Sequence, residues 1–311
     1  MKNEKFGYLY LLNTVILFST FEVVSKTLVG KIDPFQMNFI RFFIGGLILF
    51  IFVILNDNLK IASRDLFWVT VIGILNVVLS MNFLQLGIFA SNAKASVVAV
   101  IFSSNPIFVV IFSAIIDKEK VKLNKIIGMS VGLIGISVIF FNKMQFNTKD
   151  IMSPLFSLLS AIFYGLYTVL GRKMAVRIGS LKMNSYSSII GSLILLPILL
   201  VFKLPVLSFD YRGIYQVLYI AVFVTGLAYL TYFKGLSIVG ASSGSLVFFI
   251  KPVLASFIAI IFLKESATIN LFTGTALILI GIMVVIYWQD FRPKFSNIYK
   301  LIGSTRKIQK S

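Results

Sequence analysis

The fold of this 311-residue chain is decided by two related stretches, ASVVAVIFSSNPIFVVIFSAIIDKEK at residues 95–120 and ASSGSLVFFIKPVLASFIAIIFLKES at residues 241–266. Each is an apolar run interrupted by a proline, and each has a Lys-Glu pair directly before its last residue. Pro106 of the first stretch recurs as Pro252 of the second, 146 residues further along (252 − 106). The two stretches therefore predict an internal duplication.

The same offset of 146 residues relates positions throughout the chain. It pairs glutamates near the ends of the two stretches, glycines beyond them and small or apolar residues before them: Glu119 with Glu265, Gly128 with Gly274, Gly135 with Gly281, Gly45 with Gly191 and Val23 with Val169. We therefore divide the chain into a first repeat (1–144), a second repeat (145–290) and a basic tail (291–311).

The composition predicts a membrane protein. The chain is 58% hydrophobic, with a mean hydropathy of +0.97. Its apolar runs are each near the ~20 residues that a helix needs to cross a bilayer. We expect ten, at about 8–29, 34–55, 66–87, 95–116, 123–141, 151–171, 183–202, 212–233, 241–263 and 269–289.

These segments should be helices. Only helices and closed barrels satisfy the backbone in lipid, and the segments lack the alternation of barrel strands. The predicted fold class is an all-α integral membrane protein with ten transmembrane helices in two five-helix repeats. Because five is odd, the second repeat should enter from the opposite side, which makes the repeats inverted.

The charges predict an orientation. The net charge is +18. If the N-terminus is inside, 19 of the 29 Lys and Arg residues fall at the inner ends of the segments or in the tail, against 8 at the outer ends. This bias predicts a multi-pass protein of the cell (inner or plasma) membrane with both termini in the cytoplasm. The basic tail then interacts with lipid headgroups, and nucleic acid is not an expected partner.

The absence of two residue types argues against an enzyme. The sequence contains no cysteine and no histidine. This excludes thiol chemistry, the usual zinc ligands and the common catalytic triads. The sequence also has no Walker A motif and no Gly-rich dinucleotide loop. We therefore expect no catalytic residues, no metal site and no cofactor.

The repeated motifs resemble the EamA-type module of the drug/metabolite transporter superfamily. The first copy is carried by Asn105-Pro106, Lys118-Glu119 and the two glycines that follow, and the second by Lys251-Pro252, Lys264-Glu265 and theirs. The resemblance covers about residues 6–290. It implies ten helices, cytoplasmic termini and transport of small metabolites, often the export of amino acids.

We therefore predict a secondary active transporter that works by alternating access. Its substrate should be a small polar metabolite, such as an amino acid or a related zwitterion or anion, with export as the expected direction. The alternative is an accessory or lipid-carrier translocation protein of the same fold that does not transport free solutes.

Lys251 is the strongest candidate substrate-binding residue. It lies near the middle of the ninth segment, where a lysine facing lipid costs several kcal/mol. Pro252 cannot donate a backbone hydrogen bond, so a break in the helix is expected beside the charge. Lys251 could bind a carboxylate or phosphate, or it could pair with Glu22. Asn105, before Pro106, is its neutral counterpart in the first repeat.

Glu22 and Arg41 are two further candidates within the first two segments. Each lies about seven residues from the outer end of its segment, or roughly 10 Å deep. They could form a structural ion pair with each other, or face a substrate cavity, since ionisable groups inside a membrane usually mark pathways. Glu22 would then bind an amino group or carry a coupling proton.

The remaining candidates are polar or aromatic residues within the segments. A buried tyrosine can line a wet cavity because its hydroxyl needs a partner, although packing in lipid is the other interpretation. The candidates of this kind for substrate binding are Asn38, Tyr164, Tyr167, Tyr229 and Phe248. The prolines are expected to act structurally as helix breaks, and Glu119 and Glu265 as organisers of the helix ends.

Overall fold

A computed structural model of the chain describes residues 2–56, 59–90, 93–141, 151–264, 269–270, 272–281 and 283–284. Helices joined by short connections make up this part of the chain, and no strand occurs within it. Eight of the helices are long and apolar enough to cross a membrane. Two shorter apolar stretches, Leu123–Gly135 and Phe272–Gly281, occupy the predicted fifth and tenth segments.

We number the helices along the chain. They are α1 (Lys2–Lys26), α2 (Pro34–Asn56), α3 (Ser63–Phe89), α4 (Ala95–Ile116), α5 (Leu123–Phe141), α6 (Met152–Ile178), α7 (Ser180–Val201), α8 (Tyr211–Val239), α9 (Ala241–Leu263) and α10 (Phe272–Gly281). The predicted positions of the segments agree with the eight long helices, although several of these begin or end a few residues away from the predicted bounds. The end of the predicted tenth segment and the basic tail (291–311) lie outside the described residues.

Two of the helices are interrupted at their prolines. In α4 the α-helical geometry stops after Phe102 and resumes at Asn105. In α9 a 3₁₀ segment, Ser245–Phe249, precedes an α-helix that begins at Lys251. The proline is the second residue of each resumed helix, where its missing N–H has no helical partner to lose. The α-helical geometry is therefore interrupted directly before Asn105 and Lys251.

Two other helices contain π-helical turns at related positions. Residues Ile74–Ser80 of α3 and Ile220–Leu227 of α8 adopt this geometry. Their first residues are 146 apart (220 − 74). Such turns leave the regular hydrogen-bond pattern of the helix and often occur at functional sites. Both lie midway along their helices, beside α2.

The two halves of the bundle exchange contacts with each other. Helix α1 packs on α8 and α9 of the second half, and α6 packs on α3 and α4 of the first. Helix α2 packs along α7. A Cβ atom on Gly135 would lie 2.6 Å from the carbonyl oxygen of Gly274, and one on Gly281 would lie 2.5 Å from that of Gly128. Helices α5 and α10 therefore approach closely at two glycine contacts that exchange under the offset.

The surface of the bundle is apolar and its centre contains polar groups. Large apolar side chains such as Leu9, Leu55, Ile115 and Phe262 are exposed on the outside. Glu22, Arg41 and Lys251, by contrast, are fully buried. This distribution is the reverse of that in a soluble protein, and it suits a bundle surrounded by lipid with a polar interior.

Candidate functional site

A small cavity lies at the centre of the bundle, where α1, α2, α3, α4, α6, α8 and α9 meet. Its wall consists of apolar and aromatic side chains with two cationic groups: Phe18, Phe21, Arg41, Met81, Leu84, Phe102, Tyr164, Val224, Tyr229 and Lys251. The volume open to the centre of a water molecule is only about 10 Å³, so the cavity has room for roughly one water. A larger solute requires the wall to move.

Lys251 forms an ion pair with Glu22 across the two halves of the chain. The Lys251 Nζ atom lies 2.5 Å from Glu22 Oε1, and both side chains are at most 2% exposed. The ammonium group also lies 4.5 Å from the centre of the Phe102 ring and 5.9 Å from that of Phe248. The second carboxylate oxygen of Glu22, Oε2, is buried without a hydrogen-bond partner.

Of the two pairings that the sequence allowed for Glu22, the one with Lys251 is therefore present. Among the ion pairs of the described residues, Glu22 pairs with Lys251 and not with Arg41. The reason lies in the packing of α1 against α9. This packing places the carboxylate opposite the first residue of the resumed α9 helix.

Arg41 is held by aromatic rings and a series of amides. Its guanidinium lies 4.3 Å from the ring centre of Phe21 and 4.4 Å from that of Phe42. Arg41 Nε donates a 2.8 Å hydrogen bond to Asn38 Oδ1, and Asn38 Nδ2 donates one of 2.7 Å to Asn82 Oδ1. The side chain is 1% exposed, yet its Nη2 atom has no hydrogen-bond partner. Arg41 therefore presents an unused donor beside the cavity.

The amide series continues into a π-helical turn. Asn82 Nδ2 donates a 2.9 Å hydrogen bond to the backbone oxygen of Val78, which lies within Ile74–Ser80. The irregular turn of α3 frees carbonyl groups that a regular helix would use, and Asn82 bonds one of them. Asn38 thus lies in the series that positions Arg41 and is absent from the cavity wall.

Two of the three candidate tyrosines line the cavity. Tyr164 lies on the wall, and its buried hydroxyl has no partner. Tyr229 lies on the wall with its hydroxyl 3.3 Å from the sulfur of Met81. Tyr167 lies behind them, with ring centres 5.3 Å from Tyr164 and 5.2 Å from Phe233.

Phe248 and Asn105 lie beside the cavity wall. The Phe248 ring packs 5.5 Å from Tyr164 and near the ammonium group of Lys251. Asn105 is buried, and its Nδ2 donates a 2.8 Å hydrogen bond to the backbone oxygen of Phe102. Its Oδ1 has no partner. The counterpart of Lys251 is therefore buried in protein and points neither to lipid nor into this cavity.

The charged groups have neutral counterparts in the other half. At the offset of 146 residues, Glu22 corresponds to Thr168 and Arg41 to Ser187. The hydroxyl of Thr168 lies 3.4 Å from that of Tyr232, and the hydroxyl of Ser187 lies 3.3 Å from the backbone oxygen of Asn184. The charged site therefore occurs in only one of its two related positions.

Of the two glutamates expected to organise helix ends, Glu119 lies among the described residues and is absent from the cavity wall. Glu119 accepts a 2.9 Å hydrogen bond from Lys125 Nζ, and the same ammonium group donates one of 2.6 Å to Ser242. Its counterpart Glu265 lies outside the described residues. The residue before each glutamate, Lys118 or Lys264, has a left-handed φ of 52° that ends its helix.

Several wall residues were not predicted from the sequence. Met81, Leu84 and Val224 are ordinary apolar residues of apolar helices, so no sequence signal distinguishes them. Phe102 had a usable signal, because it is the counterpart of the candidate Phe248 at the offset of 146 residues. No group of His, Cys, Asp or Glu side chains within the described residues could hold a metal ion.

Comparison with known proteins identifies the duplicated unit. The model of the EamA-like transporter family matches the chain twice, at residues 5–141 and 151–287. An uncharacterized transporter of Clostridium kluyveri is 35% identical over 316 residues, covering 98% of this chain and 99% of the relative. The S-adenosylmethionine uptake transporter of Rickettsia prowazekii is 24% identical, covering 90% of this chain and 92% of the relative.

A solved crystal structure has the same fold. It superposes with a TM-score of 0.72 at 18% identity, covering 91% of this chain and 96% of that chain.

Proposed function

Because the chain belongs to the EamA-like transporter family, it is a multi-pass membrane transporter and not an enzyme, and we propose that its substrate is a small zwitterionic or anionic metabolite of the amino-acid type. We propose further that it is a secondary active transporter that exports this metabolite by alternating access. The bilayer and the solute are then its partners.

The observation that carries this proposal is the unused guanidinium nitrogen of Arg41. Glu22 and Lys251 neutralise each other, so the three buried charges leave one excess positive charge beside the cavity. A buried charge without a partner is costly, and a carboxylate is the group that matches a guanidinium best. We therefore assign the substrate carboxylate to Arg41 Nη2.

The unused oxygen of Glu22 supports a zwitterion over a simple anion. Glu22 Oε2 is buried and has no hydrogen-bond partner. An ammonium group bound there would complete the carboxylate without breaking the pair with Lys251. S-adenosylmethionine, the substrate named for the Rickettsia relative, also contains an α-amino acid group.

The aromatic wall determines what the rest of the solute can be. Phe18, Phe21, Phe102 and Tyr164 surround the charged groups with apolar surface. An apolar or aromatic side chain of the solute would pack there once the wall moves. The hydroxyl of Tyr164, which has no partner at present, would bind a polar group on such a side chain.

Alternating access requires the halves to move relative to each other. We propose ten transmembrane helices in two inverted repeats, at 1–144 and 145–290. The protein then lies in the plasma membrane, with both termini and the basic tail (291–311) in the cytoplasm. The exchanged packing of α1 and α6 supports this arrangement, because a two-fold axis in the membrane plane would relate such contacts. Closure around the small cavity is the expected intermediate between two open states.

Uptake into proteoliposomes tests the substrate class. Vesicles loaded with unlabelled solute would be assayed with labelled amino acids, S-adenosylmethionine, dicarboxylates, sugar phosphates and organic cations, with and without a pH gradient. We expect exchange of α-amino acids by the wild-type protein and its loss in Glu22→Gln, because the Glu22 carboxylate is the group that we assign to the ammonium group of the solute. Transport of organic cations alone, or of no solute in the panel, would reject the proposed substrate class.

The orientation has a separate test. Single cysteines can be introduced without background because the chain has none. A cysteine at Val29, in the turn after α1, should react with an impermeant maleimide in intact cells, and one at Ser180, where α7 begins, should react only after permeabilisation. The reverse pattern would invert the proposed topology.

A further inference from the structure

Among the buried polar side chains that have no hydrogen-bond partner are three that lie outside the cavity wall, one each on α1, α3 and α9. They are the hydroxyl groups of Ser25 and Ser256 and both amide atoms of Gln85. Ser25 and Gln85 are 0% exposed and Ser256 is 4% exposed. Buried polar groups in proteins are normally paired. An amide with neither its donor nor its acceptor used is therefore a site where a partner from outside the chain is expected.

The three residues lie along helices that leave the cavity in the same direction. Ser25 comes one turn after the wall residue Phe21 on α1, and Gln85 one turn after the wall residue Met81 on α3, because residues four apart share a helix face. Ser256 follows Lys251 on the buried face of α9.

The far ends of these helices meet at one end of the bundle. Lys26 at the end of α1 donates a 3.0 Å hydrogen bond to the backbone oxygen of Ile88 near the end of α3. Val23, Ala95 and Ala259 form one buried apolar cluster there. We name this the α1 end of the molecule, and Ser25, Gln85 and Ser256 lie between it and the Glu22–Lys251 pair.

The corresponding positions of the other half are apolar or fully paired. At the offset of 146 residues, Ser25 corresponds to Gly171, Gln85 to Thr231 and Ser256 to Val110. A Cβ atom on Gly171 would lie 2.6 Å from the ring of Phe233. The hydroxyl of Thr231 lies 2.9 Å from that of Thr14 and donates to a backbone oxygen of its own helix.

Ion pairs also tie the opposite end together. Lys173 of α6 lies 2.6 Å from Asp117 at the end of α4, and Arg177 of α6 lies 2.8 Å from Asp65 of α3. The end of α6 is thus bound to two helices of the first half. These two ion pairs therefore lie at the end of the bundle opposite to Ser25, Gln85 and Ser256.

We propose that Ser25, Gln85 and Ser256 line a polar passage that admits water and a small zwitterionic solute between the α1 end and the Glu22–Lys251 pair. The Gln85 amide, with a donor and an acceptor, would bind the carboxylate and the ammonium group of such a solute in passing. The identity of the solute rests on the transport function proposed above, whereas the existence of the passage does not.

Cysteine accessibility tests the passage without any substrate. Gln85→Cys, Ser25→Cys and Ser256→Cys would be reacted with an impermeant methanethiosulfonate reagent added to one side of membrane vesicles at a time. Val29→Cys, in the exposed turn after α1, identifies the side on which the α1 end lies. Thr231→Cys and Val110→Cys are matched controls at the corresponding positions of the other half.

We expect the three passage cysteines to react from the side that labels Val29→Cys, at least tenfold faster than the two controls. Three independent positions keep the test valid if one variant fails to fold. Lack of reaction at every folded passage variant, or equal reaction of the controls from that side, would overturn the proposal. Because no transport is measured, this outcome is distinct from a failure of the proposed function.

A second measurement addresses the role of Gln85 itself. Gln85→Leu removes an amide that has no partner, so the midpoint of thermal unfolding should not fall. Thr231→Val removes a paired hydroxyl at the corresponding position, so its midpoint should fall. In exchange assays Gln85→Leu should raise the KM for the amino acid at least fivefold. An unchanged KM, or a fall in the thermal midpoint as large as that of Thr231→Val, would remove Gln85 from the passage.

Discussion

Breaking the Glu22–Lys251 pair should affect stability and transport in separable ways. At 2.5 Å and an effective dielectric constant of about 20, the two charges attract each other by about 7 kcal/mol. Burial of each ion costs several kcal/mol, so the net value of the pair is much smaller. Removal of one partner alone is different, because it leaves the other charge buried and unpaired.

Lys251→Met leaves the Glu22 carboxylate at 0% exposure with neither oxygen bound to a cation. We expect a loss of about 3–5 kcal/mol of stability, seen as a fall on the order of 5–10 °C in the midpoint of thermal unfolding in detergent. The double variant Glu22→Gln/Lys251→Met removes both charges. It should recover most of that stability, since neutral replacement of a buried pair is often nearly neutral.

Transport should not recover with stability. The double variant retains Arg41 but lacks the carboxylate that we assign to the ammonium group of the solute. We therefore expect exchange of labelled amino acids in proteoliposomes to be lost in the double variant, although its stability recovers. A double variant that transports normally would show that the pair is purely structural. A Lys251→Met variant with wild-type stability would refute the reasoning from buried charge.

Three further predictions follow from other parts of the structure. Arg41→Lys keeps the charge but loses the planar Nη2 donor. Because a charge-assisted hydrogen bond is worth roughly 1.5–3 kcal/mol, the affinity for a carboxylate solute should fall at least tenfold. An unchanged Kd in a binding assay would contradict the role of Nη2. Lys118→Gly relieves a left-handed φ of 52° and should raise stability by about 0.5–1 kcal/mol, and a lower midpoint of thermal unfolding would count against this. Gly73→Ala places a Cβ atom 2.5 Å from the backbone oxygen of Ser187 and should lower the free energy of unfolding by roughly 1–3 kcal/mol. Gly132→Ala is the control, because its Cβ atom would lie 3.4 Å from the nearest atom, on Phe249. It should unfold at nearly the wild-type temperature.

Much of the fold could be predicted from the sequence because its cause is local. A helix in lipid must be predominantly apolar over about 20 residues, so the segments are visible without any tertiary information. The breaks beside Asn105 and Lys251 follow from prolines that cannot donate a backbone hydrogen bond. The offset of 146 residues also identified in advance which residues would correspond in the two halves.

The composition of the site needed the tertiary structure. Glu22 had two cations within reach by depth, and the packing of α1 on α9 decided for Lys251. Met81, Leu84 and Val224 reach the cavity only because of the way α3 and α8 pack in the bundle. Tyr164 and Tyr167 lie three residues apart on α6, and the sequence does not distinguish their roles. In the packed bundle Tyr164 lines the cavity, whereas Tyr167 packs behind it.

The sequence by itself determined the helices, their duplication and the presence of Glu22, Arg41 and Lys251 deep within the apolar segments. It did so because lipid imposes a local requirement on each segment: the side chains must be mostly apolar, and the backbone groups must bond to each other within the helix. Only the tertiary structure decided which charges pair and which donor remains free. Glu22 and Lys251 are 229 residues apart, and such a contact depends on how whole helices of the two halves pack, which no local pattern specifies.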